Sequence, residues 1–342
     1  MIRNRSSSFA ITIVSNRDKQ LEFWANLGWV ALGLTMLYFG AEWLVKGSAE
    51  IAIKFGISPL VVGLTVVAFG TSAPELLVCL QANFYGQGDL AIGNIVGSNI
   101  CNIAMVLGAS AMIFPLTIHL QIIKREMAIL LATSLLFVGM IYDGELSQVE
   151  GVILFVGIIA YVIFSVVQAR RSPPSDLDET LSPEEIEAVI KGGNKRLKIN
   201  VGLILLGMLF LFIGSERLVL GAEAIANSLG VPEAIIALSI VAFGTSLPEL
   251  ATGVMASWKK QGDIVVGNAI GSCIFNILAV GGLTASISPI TSTQLNWIDL
   301  TVMLGTAAAS WIMMRSDRSI SRVEGAIMLA AYISYCFYLT TR

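Results

Sequence analysis

Ala68-Phe-Gly-Thr-Ser-Ala-Pro-Glu-Leu76 recurs 174 residues later as Ala242-Phe-Gly-Thr-Ser-Leu-Pro-Glu-Leu250, identical at eight of nine positions. At the same offset, Gln87-Gly-Asp-Leu-Ala-Ile-Gly-Asn-Ile-Val-Gly-Ser-Asn-Ile-Cys-Asn-Ile103 recurs as Gln261-Gly-Asp-Ile-Val-Val-Gly-Asn-Ala-Ile-Gly-Ser-Cys-Ile-Phe-Asn-Ile277, identical at ten of seventeen. No gap separates the paired blocks, so the chain is a duplication. What each copy is made of then decides the fold.

Of 342 residues, 55% are hydrophobic and 13% charged, with a mean hydropathy of +0.79. A soluble domain carries about 45–50% apolar and about 25% charged residues. The surplus excludes a soluble enzyme, a nucleic-acid binder and a disulfide scaffold, and leaves a polytopic helical membrane protein. Ten segments are long and apolar enough to span a bilayer: 24–53, 58–83, 89–114, 122–141, 148–168, 199–228, 232–258, 263–287, 297–314 and 321–340. The expected organisation is a polar tail over 1–22, a first five-helix repeat over 23–168, a linker over 169–198 and a second five-helix repeat over 199–342. The linker holds Pro173, Pro174, Pro183 and Gly192-Gly193 among mixed charges, with one short helix expected at Ser182. Phe9–Val14 is too short for the apolar core of a signal peptide.

Five segments per half force the two halves into opposite orientations across the membrane. Such inverted repeats are the architecture of many secondary transporters, with the binding site at the midplane between them. Fourteen Lys and Arg fall on the side of the linker and five on the side of the termini, with Lys46 and Arg217 inside segments. The excess of positive charge places the linker in the cytoplasm and both termini outside, in a plasma or inner membrane.

Glu75 and Glu249 stand in the middle of segments two and seven. An intramembrane carboxylate costs about 2.5–3.5 kcal/mol on insertion scales, so two at equivalent positions call for a shared purpose. Pro74 and Pro248 precede them. A proline lacks the N–H that would bond the carbonyl four residues back, here Gly70 and Gly244, so helices two and seven are expected to be broken. Unsatisfied backbone at this depth is tolerated when it is buried in protein or lines a cavity. The hydroxyls of Thr71, Ser72, Thr245 and Ser246 occupy the same turns. Ser98 and Asn102, like Ser272 and Asn276, are four apart and share a helix face. Gly93, Gly97, Gly267 and Gly271 lie beside them at a spacing that lets helices approach closely. The donor set is all oxygen, which suits a hard cation such as Ca²⁺ or Na⁺ rather than a transition metal.

At these residues the sequence resembles the calcium/cation antiporter superfamily, and within it the prokaryotic sodium/calcium exchangers with their two α-repeats. The resemblance implies an all-α membrane protein of ten helices in two inverted five-helix repeats. It implies Ca²⁺ ligands at Glu75 and Glu249 with the carbonyls of Thr71 and Thr245. It implies Na⁺ ligands at the same glutamates, the Ala68 and Ala242 carbonyls, the hydroxyls of Ser72, Ser246, Ser98 and Ser272, and Asn102 and Asn276. It further implies that segments one and six slide across the other helices to switch access, exchanging three Na⁺ inward for one Ca²⁺ outward. Two departures stand out. Some members carry Asp where this chain has Asn276, which here leans towards potassium independence. The second repeat has Cys273 where the first has Asn99.

The expected partners are Na⁺, Ca²⁺ and the lipid bilayer, with no nucleic acid and no cofactor, and a monomer suffices. The alternative is an H⁺-coupled antiporter of Ca²⁺ or another divalent cation, in which the buried glutamates carry protons in place of Na⁺. A channel fits poorly, since two inverted halves give no simple ring of glutamates. An enzyme is not expected: an intramembrane hydrolase needs a nucleophile–base pair, and the single histidine, His119, sits at a membrane edge. Cys79, Cys101, Cys273 and Cys336 read as small buried side chains. Asp89 and Asp263 read as acids favouring the starts of helices three and eight. Glu42 and Glu216 read either as lining an ion path or as anchors paired with Lys46 and Arg217.

Overall fold

The computed structural model describes residues 5–171, 193–229, 242–292 and 297–341, with side chains over 22–169, 193–229, 243–292 and 297–341. Its helices are α1 (Arg5–Phe55), α2 (Pro59–Thr71), α3 (Ala73–Phe84), α4 (Gly88–Ile113), α5 (Ile122–Asp143), α6 (Gln148–Arg171), α7 (Gly193–Ser228), α8 (Ala242–Gly244), α9 (Leu247–Trp258), α10 (Gly262–Ile287), α11 (Trp297–Asp317) and α12 (Arg322–Thr340). Among the described residues eight helices are long and apolar enough to cross a membrane, or nine when α2 and α3 count as one span bent by 42°. The seventh expected segment falls short of that length because residues 230–241 lie outside the described residues and its remainder is split into α8 and α9.

Two boundaries differ from expectation. α1 opens at Arg5, inside the stretch set apart as a tail, although its apolar span begins at Glu22. α6 and α7 each run a few residues into the linker. The rest of the linker, with the short helix expected at Ser182, lies outside the described residues.

Burial sorts the helices into two classes. In α4 and α10, 78% and 94% of the apolar window is buried, against 33% or less in the other long spans that qualify singly. These two helices form the protein-surrounded centre, and the rest turn large apolar side chains outward. Gly267 and Gly271 explain part of the close fit: a Cβ at Gly267 would lie 2.6 Å from the Leu60 carbonyl oxygen, and one at Gly271 would lie 2.8 Å from Leu64. Small residues let backbones meet in this way. Around Gly93 and Gly97 a Cβ would meet nothing within 4 Å among the described residues.

α1 and α7 pack antiparallel along their length. Gly33 meets Gly214, Gly40 meets Gly207, and Gly47 meets the Asn200 carbonyl. A Cβ at any of these glycines would come within 3.0 Å of a facing backbone oxygen. At the cytoplasmic end expected from the loop charges, Arg196 of α7 donates two hydrogen bonds to Glu50 of α1, at 2.9 and 3.1 Å, and Lys54 bonds the Gly193 carbonyl.

Two short antiparallel ladders stitch the halves together. β1 (Leu116–Thr117) pairs with β4 (Ser319–Ile320), and β2 (Glu145–Leu146) pairs with β3 (Ile290–Thr291). The helices that follow β2 and β4 start alike. Ser147 with Glu150, and Ser321 with Glu324, exchange side-chain and backbone hydrogen bonds, a capping box at equivalent places in the two repeats.

Candidate functional site

The breaks before Glu75 and Glu249 have the same backbone geometry. Ser72, between α2 and α3, has φ −85° and ψ 4°, and Ser246, ahead of α9, has φ −89° and ψ 6°. In both, a proline stands in the first turn of the following helix, where its missing N–H costs nothing. These non-helical residues stand three positions before each glutamate.

The two breaks meet at α4 and α10, and the contacts run between the halves. Ser72 Oγ donates to Glu249 Oε1 at 3.3 Å, and Ser246 Oγ reaches Glu75 Oε1 and Ser98 Oγ at 3.5 Å. Thr71 Oγ1 lies 3.3 Å from Ser272 Oγ. Thr71, Ser72, Glu75, Ser98, Asn102, Ser246, Glu249, Ser272 and Asn276 are all buried, and Glu75 and Glu249 have no exposed surface. The two carboxylates lie within each other's electrostatic reach. Ala68 is buried on α2, and Ala242 opens α8, seven residues before Glu249. Thr245 is half-buried beside the second break.

Several polar atoms here are buried without a hydrogen-bond partner among the described residues: Glu75 Oε2, Glu249 Oε2, and both side-chain polar atoms of Asn102 and of Asn276. Such atoms are rare in folded proteins and ask for a ligand. Asn102 and Asn276 also sit in π-helical turns, Cys101–Val106 and Asn276–Gly281. Single π turns recur at functional sites because they redirect a side chain within an otherwise regular helix.

Two further residues belong to this network and were not singled out from the sequence. Thr71 Oγ1 donates to Asn268 Oδ1 at 3.1 Å, and at the equivalent place Thr245 Oγ1 donates to Asn94 Oδ1 at 3.4 Å. Asn94 also donates to the Glu75 carbonyl at 3.4 Å. The signal was in the repeated Gly-Asn of the second block, four residues ahead of each serine. The departure at Cys273 acquires a setting as well: its thiol lies 3.6 Å from the Asn99 carbonyl, so the two equivalent positions touch.

The other acids have partners of their own, and only Glu42 departs from the pairing expected. Asp89 and Asp263 stand in the first turns of α4 and α10, as expected of acids at helix starts; Asp89 also accepts from Ser292 Oγ at 2.6 Å, and Asp263 pairs with His119 at 3.0 Å. Each carboxylate thus reaches a residue of the loop region beside β1 or β3 as well as standing at its own helix start. Glu42 pairs with Lys259 at 3.2 Å and not with Lys46, while Glu216 lies 4.0 Å from Arg217. Cys79, Cys101 and Cys273 are buried free thiols, and Cys336 is half-buried.

A many-helix chain whose halves converge on a buried, oxygen-lined centre defines a membrane transport protein as a class. The chain belongs to the sodium/calcium exchanger family: residues 25–167 and 199–341 each match the family described as sodium/calcium exchanger protein. The two matches differ by the same 174 residues as the motifs. The sodium/calcium exchanger MaX1 of Methanosarcina acetivorans is 30% identical over 90% of this chain and 96% of its own. The inner membrane protein YrbG of Escherichia coli is 36% identical over 75% of this chain and 78% of its own. A solved structure of the sodium-calcium exchanger NCX_Mj, soaked with 2.5 mM Na⁺ and 1 mM Sr²⁺, is 31% identical, with a TM-score of 0.78 over 91% of this chain and 97% of that one.

Proposed function

We propose that the chain is a secondary active transporter that moves Na⁺ inward and Ca²⁺ outward by alternating access, with Glu75 and Glu249 as its central ligands. The observation that carries this is the pair of carboxylate oxygens Glu75 Oε2 and Glu249 Oε2, buried and without a hydrogen-bond partner among the described residues. A buried carboxylate needs either a proton or a cation against it. Two of them balance one Ca²⁺ or two Na⁺, so the ions compete for one centre and cannot both fill it. The Ca²⁺ set is Glu75, Glu249 and the carbonyls of Thr71 and Thr245. The Na⁺ set adds the Ala68 and Ala242 carbonyls, Ser72, Ser246, Ser98, Ser272, Asn102 and Asn276. Relatives named as sodium/calcium exchangers support Na⁺ over H⁺ as the coupling ion.

In this scheme ten helices form two inverted repeats, helices two and seven are broken at Ser72 and Ser246, both termini lie outside, and the linker is cytoplasmic. The antiparallel packing of α1 on α7, the first helix of each repeat, supports the inverted relation. The test is radiolabelled Ca²⁺ uptake into Na⁺-loaded proteoliposomes, with Glu249→Gln beside the unaltered chain. Uptake should need the outward Na⁺ gradient and vanish in the variant. Uptake that follows a pH gradient without Na⁺ would replace this reading by the proton-coupled one.

A further inference from the structure

The repeat offset relates Glu42 to Glu216 and Tyr85 to Lys259, since each pair differs by 174. The structure treats the two glutamates unequally. Glu42, on α1, accepts from Lys259 Nζ at the end of α9, at 3.2 Å, which closes a contact between the two helices. Glu216, on α7, is 51% exposed and lines a cavity of about 840 Å³. That cavity is walled by Phe84, Tyr85 and Phe212 and reaches Pro74, Gly244 and Thr245, which belong to the two helix breaks. The nearby cation, Arg217, lies at 4.0 Å with its guanidinium drawn over the Trp29 ring at 5.2 Å. Where the position equivalent by the repeat, beside Glu42, has Lys259, this cavity has Tyr85, which is 67% exposed.

We propose that Glu216 is a recruiting site for hydrated Na⁺ and Ca²⁺ at the open mouth, outside the central ligands, and that Glu42 is its counterpart at the opposite mouth, neutralised there by Lys259. This rests on the function proposed above. A single carboxylate in an apolar funnel focuses its field along the opening, because low-dielectric walls do not screen it, and so raises the local cation concentration. A lysine bound to the equivalent acid cancels that field and bridges the mouth. Moving between states therefore exposes one acid as the other is covered. The absence of a lysine at position 85 makes the two mouths unequal, so the Lys259–Glu42 contact favours the arrangement with Glu216 open.

The test is Na⁺-driven Ca²⁺ uptake in right-side-out membrane vesicles, read as the external Ca²⁺ for half-maximal uptake. Glu216→Gln should raise that concentration about tenfold and leave uptake at saturating Ca²⁺ unchanged. Glu216→Asp should stay near the unaltered protein. Inert salt should raise the half-saturating Ca²⁺ of the unaltered protein and leave that of Glu216→Gln nearly constant. Tyr85→Lys, at an exposed position, should reproduce the glutamine variant by supplying the lysine the other mouth already has, and it serves even if Glu216→Gln does not fold. An unchanged half-saturating Ca²⁺ in Glu216→Gln or in Tyr85→Lys would overturn the proposal, as would a fall in maximal uptake alone. Absence of uptake in the unaltered protein would instead overturn the function on which it rests.

Discussion

Ser72, in the first half of the chain, donates its hydroxyl to Glu249 in the second across 3.3 Å. Ser246 makes the reciprocal contact to Glu75. Each glutamate thus takes a hydroxyl from the opposite repeat. A hydrogen bond to a charged group contributes about 1.5–3 kcal/mol, and a neutral one about half that. Ser72→Ala should therefore lower stability by about 1–2 kcal/mol. On a Glu249→Gln background the same change should cost less, because the stronger acceptor is gone. A double-mutant cycle on melting of the purified protein measures the difference, and additive losses would show that the contact carries no energy.

Asn94 and Asn268 hold Thr245 and Thr71 from the side. Partners that orient ligand-bearing groups typically cost about 10–100-fold in metal affinity when removed. Asn268→Ala should raise half-saturating Ca²⁺ at least about tenfold while the protein still folds as a monodisperse species. Asn268→Ala with unaltered Ca²⁺ dependence would make the amide a packing element only.

The repeat was legible because it rests on a local signal, identity at a fixed offset; the proline ahead of an acid and the carboxylate among apolar residues are equally local signals, and they point to the broken helices and the glutamates that the proposed function uses. Asn94 and Asn268 sat inside the quoted blocks yet escaped notice, since a lone amide on a helix does not reveal which hydroxyl it meets across the molecule. The second partners of the acids at helix starts were hidden for a related reason. Helix-dipole reasoning for Asp89 and Asp263 is local, whereas Ser292 and His119 reach them only through the ladders that tie the halves together. The glycine seam of α1 and α7 has period seven in each helix, but only the antiparallel register shows which glycines face one another.

That seam should be intolerant of added bulk. A Cβ at Gly40 would lie 2.9 Å from the Gly207 carbonyl oxygen, and one at Gly207 would lie 2.7 Å from the Gly40 carbonyl oxygen. Overpacking of this kind costs about 1–3 kcal/mol. Gly40→Ala and Gly207→Ala should each lower the melting temperature. Gly139→Ala, on an exposed helix face, should leave it unchanged or raise it slightly through better helix propensity. Thermal unfolding in detergent separates the two outcomes.

A second buried carboxylate outside the centre is held quite differently. Glu126 has no exposed surface, and it accepts from Arg125 Nε at 2.6 Å and from Tyr161 Oη at 2.9 Å. Arg125 supplies the opposite charge and Tyr161 a hydroxyl donor, so Glu126 needs no metal ion, whereas on the proposed function Glu75 and Glu249 do. Tyr161→Phe should leave one oxygen unpaired and destabilise the protein by about 1–3 kcal/mol. Half-saturating Ca²⁺ should not move, and a shift in it would bring Glu126 into the transport path.

Exchange of three Na⁺ for one Ca²⁺ carries one net positive charge inward per cycle. Moving one charge through about 100 mV is worth about 2.3 kcal/mol, so the Ca²⁺ ratio reached at equilibrium should change about fifty-fold for such a potential. Asn276 in place of a second-repeat carboxylate leaves the side chains of the centre with only two formal negative charges, Glu75 and Glu249. Three Na⁺ or one Ca²⁺ against two charges differ by one, and that difference is what the field acts on. Vesicles clamped with a K⁺ gradient and an ionophore, held at fixed Na⁺, should show the steady Ca²⁺ ratio shifting in the direction that a negative interior expels Ca²⁺. A ratio indifferent to the imposed potential would require electroneutral exchange, two Na⁺ or two H⁺ per Ca²⁺, and would remove the third Na⁺ from the centre.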